Sequence, residues 1–208
     1  MNLIETLGLA LGAAWTSGIN LYATVAVLGL LQRYELVGRL PGGLDALDNW
    51  WVIGVALALY CVEFVADKVP YVDSVWDVVH TFVRVPAGAV LALAATADLD
   101  PTVRVVAVLL GGGLALSTHG TKATVRAAAN VSPEPVTNWS LSLVEDAFAI
   151  GAVALAALHP VVILAVILIF LIVLAWVLPK VLRRVRRMFA SARDFLFRRR
   201  TGPAAPRA

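Results

Sequence analysis

The sequence predicts an all-α membrane protein of about six transmembrane helices. Hydrophobic residues make up 60% of the 208 residues and charged residues only 15%, whereas an ordinary soluble domain is about 45–50% apolar and about 25% charged. The mean hydropathy is +0.84. The clearest segment, residues 161–178, has no charged side chain and is long enough to cross a hydrocarbon core of about 30 Å as a helix.

Five further apolar segments give the remaining predicted spans, at residues 3–32, 50–66, 74–97, 103–128 and 140–158. The first of these is long enough to tilt, to break or to re-enter the membrane. In the third, Pro86 predicts a kink, because proline removes a helical hydrogen bond.

The distribution of charge predicts the orientation. From Lys180 onward the chain has ten basic residues and one acidic residue, so the positive-inside rule places the C-terminus in the cytoplasm. An even number of spans then places the N-terminus there too, in an inner (plasma) membrane. Arginines alternate with apolar residues over 180–200, which predicts an amphipathic helix on the membrane surface held by anionic lipid. The last eight residues are expected to be disordered, and a simple topology anchor is the alternative role for the tail.

Composition also excludes several classes of function. A single cysteine, Cys61, rules out a disulfide framework or a thiolate metal cluster within one chain. The basic residues lie beside a long apolar run rather than among base-stacking aromatics, which argues against nucleic-acid binding. The sequence contains neither a nucleophile elbow nor a phosphate loop. We therefore predict no catalytic residue and no cofactor, and an enzyme is the less favoured interpretation.

Two stretches one hundred residues apart predict an internal repeat. Residues 12–25 and 112–125 share a glycine, a serine and an Ala-Thr-Val triplet at matching positions. Three spans per half would make the second copy enter the membrane from the opposite side, as in inverted-topology repeats. The predicted organisation is a first three-helix repeat over 1–97, a second over 98–179 and a basic tail over 180–208. Chance similarity of Gly- and Ala-rich helices is the alternative.

Small and polar residues interrupt both copies of this repeat. TSGIN at 16–20 and STHGT at 117–121 contain residues that weaken helices or compete for backbone hydrogen bonds. Interruptions at corresponding positions predict that helices 1 and 4 are discontinuous and meet near the midplane of the membrane. Close packing of helices through small residues is the alternative explanation.

Charged residues follow stripes within the predicted spans. Glu63 and Asp67 are four residues apart, and the next helix carries a stripe at spacings of four, three and four: Asp73, Asp77, His80 and Arg84. The second half carries a mainly cationic stripe: His119, Lys122 and Arg126. Ionisable residues in membrane helices face the bundle interior and pair. The predicted pairs join Asp77 or Glu63 to Arg84 or Lys122, and Glu145 to Lys122 or Arg126.

A metal site is the alternative use of the acidic stripe. Asp73, Asp77 and His80, with Glu63, have the ligand types of a Mn, Fe or Zn site. Their spacing matches neither the Glu-x-x-His pattern of di-iron proteins nor the His-Glu-x-x-His pattern of zinc enzymes. We therefore keep these residues only as secondary metal candidates.

The sequence resembles a bacterial family of small integral membrane proteins called domain of unknown function 4126, through residues 17–31, 65–92 and 117–128. The likeness covers most of residues 5–160, and its most specific part is Asp-Lys-x-Pro-x-x-Asp-x-x-Trp-Asp-x-x-His at 67–80. The resemblance implies an integral membrane protein and supplies no activity. It carries over these motif positions: Ser17, Gly18, Asn20, Tyr22, Asp67, Lys68, Pro70, Asp73, Trp76, Asp77, His80, Arg84, His119, Gly120 and Lys122.

These patterns favour a small channel or secondary transporter with a polar path at the repeat interface. The candidate path or substrate-binding residues are Ser17, Gly18, Asn20, Tyr22, Glu63, Asp67, Asp73, Asp77, His80, Arg84, Ser117, His119, Lys122 and Glu145. A membrane-embedded metal-dependent enzyme acting on a lipid and a scaffold that docks partners through its basic tail remain alternatives. The predicted partners are the bilayer, anionic lipid at the tail and a small solute or ion, and a homo-oligomer is compatible with the sequence.

Overall fold

The computed structural model describes residues 1–130 and 135–198, and its regular elements there are helices. The α-helices are α1 (Leu3–Ser17), α2 (Leu21–Arg33), α3 (Trp50–Ala66), α4 (Pro70–Ala95), α5 (Pro101–Asn130), α6 (Pro135–Leu158) and α7 (Pro160–Arg198). A short 3₁₀ helix, Gly42–Asp48, precedes α3. Residues 1–165 form one compact unit, and α7 from Val166 onward belongs to a second.

Short polar side chains begin several of these helices. Asn2 and Glu5 form a reciprocal capping box at the start of α1, and the Asn49 side chain accepts a hydrogen bond from the Trp51 amide at 2.8 Å. Asp100 accepts one from the Thr102 amide at 2.8 Å, and this bond lowers the pKa of Asp100 below its ordinary value. Such bonds satisfy amides that have no partner within the helix.

The first predicted span is a helical hairpin rather than a single helix. The chain breaks between Ser17 and Leu21, where Asn20 caps α2 by accepting a hydrogen bond from the Ala23 amide at 2.9 Å. With 15 and 13 residues, α1 and α2 are each shorter than the roughly 20 residues that a membrane crossing needs. We call α1, α2 and their connection at Gly18–Asn20 the N-terminal hairpin.

Four helices in the described part of the chain are long and apolar enough to cross a membrane, and a fifth candidate span arises if the 3₁₀ helix and α3, bent by 76°, count as one. The apolar helices therefore indicate a multi-pass membrane protein. The expected six spans are not confirmed, because residues 3–32 form two short helices joined at Gly18–Asn20.

The predicted discontinuity of helix 4 is wrong, because α5 runs without a break from Pro101 to Asn130. Its hydroxyl groups donate to carbonyl groups one turn earlier: Ser117 to Gly113 at 2.7 Å, Thr121 to Ser117 at 2.8 Å and Thr124 to Gly120 at 2.7 Å. These side chains bond within the helix instead of replacing its backbone bonds. The two aligned segments, 12–25 and 112–125, thus have different backbone conformations.

The N-terminus lies at the same end of the bundle as the connection after α2. Met1 and Thr6 line one cleft together with residues 39–42, Asp98 and Leu99. The cause is the N-terminal hairpin, which returns the chain to the side where it began. The basic tail continues α7 through Pro179 as far as Arg198, and the predicted disorder of the last residues lies outside the described part.

Close packing of α4 on α5 depends on glycine and alanine. Ala14, Ala92 and Ala107 are buried together in the core. A side-chain carbon built on Gly111 would lie 2.6 Å from Ala92 Cβ and 3.0 Å from the Gly88 carbonyl oxygen. The two helix backbones therefore approach each other more closely than larger residues allow, as is common between membrane helices.

Replacing Gly111 by alanine tests this packing. Because the added methyl group has no room, we expect the free energy of unfolding to fall by about 1–3 kcal/mol. Gly113→Ala is the matched control, since nothing lies within 4 Å of its added carbon. Thermal unfolding in detergent measures both variants, and equal shifts for the two would contradict the close approach of α4 and α5.

Single cysteines test the hairpin in a Cys61→Ala background. We expect Leu3→Cys and Asp98→Cys to react with a membrane-impermeant maleimide from the same side of the membrane, because both positions lie at the same end of the bundle. Val69→Cys, in the turn between α3 and α4, is expected to react from the other side. Labelling of Leu3→Cys together with Val69→Cys would instead support an N-terminal segment that crosses the membrane.

Candidate functional site

A buried cluster of ionisable side chains lies where α3, α4, α5 and α6 meet the tip of the N-terminal hairpin. Its members, which we call the charge cluster, are Glu63, Asp67, Asp73, Asp77, Arg84, His119, Lys122, Arg126, Glu145 and Asp146. Apart from Glu145, whose side chain is 14% exposed, every member is buried. Such groups are rare inside membrane helices and are stabilised there by pairing.

Arg84 of α4 joins α3, α5 and the hairpin. Its Nη2 lies 2.6 Å from Glu63 Oε1, and its Nη1 lies 3.9 Å from Asp77 Oδ1. The same Nη1 donates to the Gly18 carbonyl oxygen at 3.3 Å and to His119 Nδ1 at 3.1 Å. One guanidinium therefore connects four parts of the bundle.

Lys122 of α5 lies among three carboxylates. Its Nζ is 3.0 Å from Asp67 Oδ2, 3.6 Å from Glu63 Oε1 and 3.8 Å from Glu145 Oε2. It also donates to the Ile19 carbonyl oxygen at 3.4 Å. Arg84 and Lys122 thus place positive charge at the carboxyl end of α1, where helix carbonyl groups lack partners and the helix dipole is negative.

Arg126, one turn further along α5, binds Glu145 with two nitrogens. Its Nη2 donates to Glu145 Oε2 at 2.7 Å and its Nε to Glu145 Oε1 at 3.2 Å. Its Nη1 donates to the Asp67 carbonyl oxygen at 2.9 Å and lies 3.6 Å from Asp73 Oδ1. This fork geometry is characteristic of strong arginine–carboxylate pairs.

The partners of His119 hold it as a neutral imidazole. Arginine is only a donor, so His119 Nδ1 accepts from Arg84 and His119 Nε2 donates to the Asp77 carbonyl oxygen at 3.0 Å. His80 Nδ1 donates to the Trp76 carbonyl oxygen at 2.9 Å, and its Nε2 shares a hydrogen bond of 3.1 Å with the Tyr22 hydroxyl group. The His119 ring therefore adds no positive charge to the cluster.

The cluster contains more acids than bases. Six carboxyl groups face three cations, and all but one of the six lie within 4.0 Å of a cation. Among the residues that the structure describes, the exception is Asp146. Several buried oxygens also have no hydrogen-bond partner: Glu63 Oε2, Asp67 Oδ1, both carboxylate oxygens of Asp77, and Asp146 Oδ2. The surplus of negative charge is the main electrostatic feature of the site.

A cleft between α4 and α5 reaches the edge of the charge cluster. Its volume is about 290 Å³, and its lining residues are Ser74, Asp77, Val78, Thr81, Ala123, Arg126 and Ala127. Both carboxylate oxygens of Asp77 are nevertheless buried, so the cleft borders the cluster without exposing this carboxylate.

Most of the predicted site residues meet in this region, whereas the Tyr22–His80 pair lies beside the cluster and the hydroxyl groups of Ser17 and Ser117 bond within their own helices. Gly18 and Asn20 form the hairpin tip, and Tyr22 and His80 bond to each other at the side of the bundle. The Ser17 hydroxyl group donates back to the Ala14 carbonyl oxygen, and Ser117 bonds back within α5. Beside Ser117, Thr118 is the residue that faces the hairpin, since it donates to the Trp15 carbonyl oxygen at 2.9 Å.

A polar stripe on α6 belongs to the site and was not among the residues predicted from the sequence. Asn138, Ser142 and Asp146 are all buried, and Asp146 Oδ1 accepts a hydrogen bond from Asn20 Nδ2 at 3.1 Å. The signal was present in the sequence, because spacings of four residues place these side chains on one helix face.

The secondary metal candidates do not converge. Asp73 lies at Arg126, whereas His80 lies between Tyr22 and Trp76. Within residues 1–130 and 135–198, no group of three histidine, cysteine or acidic side chains is arranged to hold a metal ion.

Comparison with known proteins gives one match. A family model described as Domain of unknown function (DUF4126) matches residues 7–180. The chain therefore belongs to this family, and the match includes the N-terminal hairpin and every member of the charge cluster. No curated protein and no solved structure matches the chain significantly.

Removing one buried cation tests whether the ion pairs hold the bundle together. Arg84→Gln leaves Glu63 buried without its 2.6 Å partner, so we expect the free energy of unfolding to fall by about 3–5 kcal/mol. Arg39→Gln is the control, because the Arg39–Asp45 pair lies on the surface and its loss changes stability little. Thermal unfolding in detergent compares the two, and similar small shifts would mean that the cluster does not stabilise the fold.

Proposed function

We propose that this member of the family is a small multi-pass membrane transporter or channel for an ion or a small polar solute, with its polar path at the tip of the N-terminal hairpin. The observation that supports the proposal best is the position of the helix break. Gly18–Asn20 interrupts an apolar segment and meets the charge cluster, where the backbone of Gly18 and Ile19 contacts Arg84 and Lys122.

A broken helix inside a membrane has a restricted set of uses. Its free backbone groups are tolerated only where protein buries them or where they line a polar cavity. In secondary transporters, discontinuous helices bring their half-helix ends to the substrate site. The N-terminal hairpin has this form: α1 ends on the two cations, and α2 begins at Asn20, which bonds Asp146.

The composition of the charge cluster also supports a functional role. Buried ion pairs contribute little net stability compared with apolar residues of similar size, because desolvation opposes their attraction. A bundle whose only requirement was stability would not need the nine buried ionisable residues of this cluster. Charged residues in membrane helices are therefore functional candidates by default.

Passage through the closed cluster requires its ion pairs to exchange partners. Lys122 is suited to this exchange, because three carboxylates already surround it at 3.0–3.8 Å. Moving between them leaves the ammonium group paired throughout. The cleft at Asp77 gives a second route to the cluster, between α4 and α5.

We also propose that the two halves of the chain form an inverted repeat and that the C-terminus lies in the cytoplasm. The basic residues after Pro179 support a cytoplasmic C-terminus. We keep anionic lipid as the proposed partner of this tail.

Flux measurements in liposomes test the proposal. Purified protein is expected to move one or more of a panel of ions and small solutes under a pH gradient or a voltage. Lys122→Gln and Glu63→Gln are expected to reduce that flux strongly, because they remove exchangeable ion pairs. Arg104→Gln is the matched control, since this side chain lies outside the cluster.

Folding must be measured on the same preparations. Absence of flux for the whole panel, with folded wild-type protein, would contradict the proposal. Full flux in folded Lys122→Gln and Glu63→Gln would show that the charge cluster has a structural role and that any path lies elsewhere.

A further inference from the structure

Asp146 differs from the other carboxyl groups of the charge cluster. It is 4% exposed. In the described part of the chain, no lysine or arginine nitrogen lies within 4.0 Å of its carboxylate oxygens, the distance that defines an ion pair. Its Oδ1 accepts a hydrogen bond from Asn20 Nδ2 at 3.1 Å, and its Oδ2 has no hydrogen-bond partner. An ionised carboxylate in such a position is costly, whereas a protonated one is not.

Ser142 gives a second, independent observation. Its side chain is fully buried, and its Oγ has no hydrogen-bond partner. It precedes Asp146 by four residues on α6 and so lies on the same helix face. A buried hydroxyl group usually has a partner, and neither Ser142 Oγ nor Asp146 Oδ2 has one, so this face of α6 carries two unsatisfied buried polar groups.

We infer that Asp146, with Ser142 beside it, is a proton-binding site, and that the proton is the ion that drives transport. This inference rests on the proposed function. The step is a simple acid dissociation: the O–H bond on the Asp146 carboxyl group breaks or forms, the electron pair stays on oxygen, and water on one side of the membrane gives or takes the proton.

The groups around Asp146 come from every neighbouring element. Asn20 lies beside it in the hairpin, and Lys122 lies beside it on α5. The end of α3 and the turn after it contribute Tyr60, Glu63, Asp67 and Lys68. Glu145 is its neighbour on α6. Glu63 and Asp67 repel a negative charge on Asp146, and Lys122 attracts one. Lys122 is already shared by three other carboxylates, so its charge is largely compensated.

Asn20 links this site to the hairpin. Its Nδ2 donates to Asp146, and its Oδ1 accepts from the Ala23 amide and so caps α2. Gain or loss of the proton changes the acceptor strength of Asp146 and therefore acts on the same residue that fixes the start of α2. The proton and the break in the helix are thus coupled through one side chain.

Infrared difference spectroscopy on purified protein tests the site without any transport. The wild-type protein is expected to show the carbonyl stretch of a protonated carboxyl group, which disappears as the pH is raised. In Asp146→Asn this band is expected to be lost, in Ser142→Ala to shift, and in the control Asp98→Asn to stay unchanged. A wild-type band that persists in folded Asp146→Asn would overturn the assignment.

Flux in liposomes then tests the coupling. Asp146→Asn is expected to abolish accumulation driven by a pH gradient, and Asp146→Glu, which keeps an ionisable carboxyl group, to retain it. Accumulation driven by a sodium gradient instead of a pH gradient would overturn the proton as the coupling ion. If the infrared band is lost as expected but no solute moves even in wild-type protein, the proton site stands and the proposed transport fails.

Discussion

The need to pair every charge that is buried away from water governs this structure. Three cations, Arg84, Lys122 and Arg126, lie inside a helical bundle whose surface is largely apolar. Each contacts acids from more than one helix, so the positions of α3, α4, α5 and α6 are tied to one another. An unpaired charge at this depth costs several kcal/mol. The relative placement of these helices is therefore fixed as much by charge as by packing.

The break in the N-terminal hairpin depends on the same constraint. The carboxyl end of α1 leaves carbonyl groups without helical partners, and Arg84 and Lys122 donate to those of Gly18 and Ile19. Contact at this point needs a small residue, because a side chain on Gly18 would collide with Thr118 and the backbone of Ala115. Glycine is thus required by close approach to α5, while the cations of α4 and α5 satisfy the exposed backbone.

Much of this arrangement could be predicted from the sequence, and the remainder depends on three-dimensional contacts. The apolar segment 50–66 located α3, and the spacing of Asp73, Asp77 and Arg84 placed them on one face. The prediction that helix 4 is discontinuous was wrong. A serine or threonine that bonds back within a helix has the same sequence signature as one that interrupts it. Asp146 was missed as a site residue because Glu145 beside it has more obvious partners, and only the fold shows that both face inward.

The pattern of shared partners explains how a closed charge cluster remains able to rearrange. Glu63 lies within 4.0 Å of both Arg84 and Lys122, Asp67 lies near Lys122 and Arg126, and Glu145 lies near the same two cations. A network with one acid for each base would have to break a pair completely before forming another. Here a cation leaving one acid is already close to the next, so the barrier from desolvation is divided into smaller steps. The surplus of acids over cations makes these alternative pairs available.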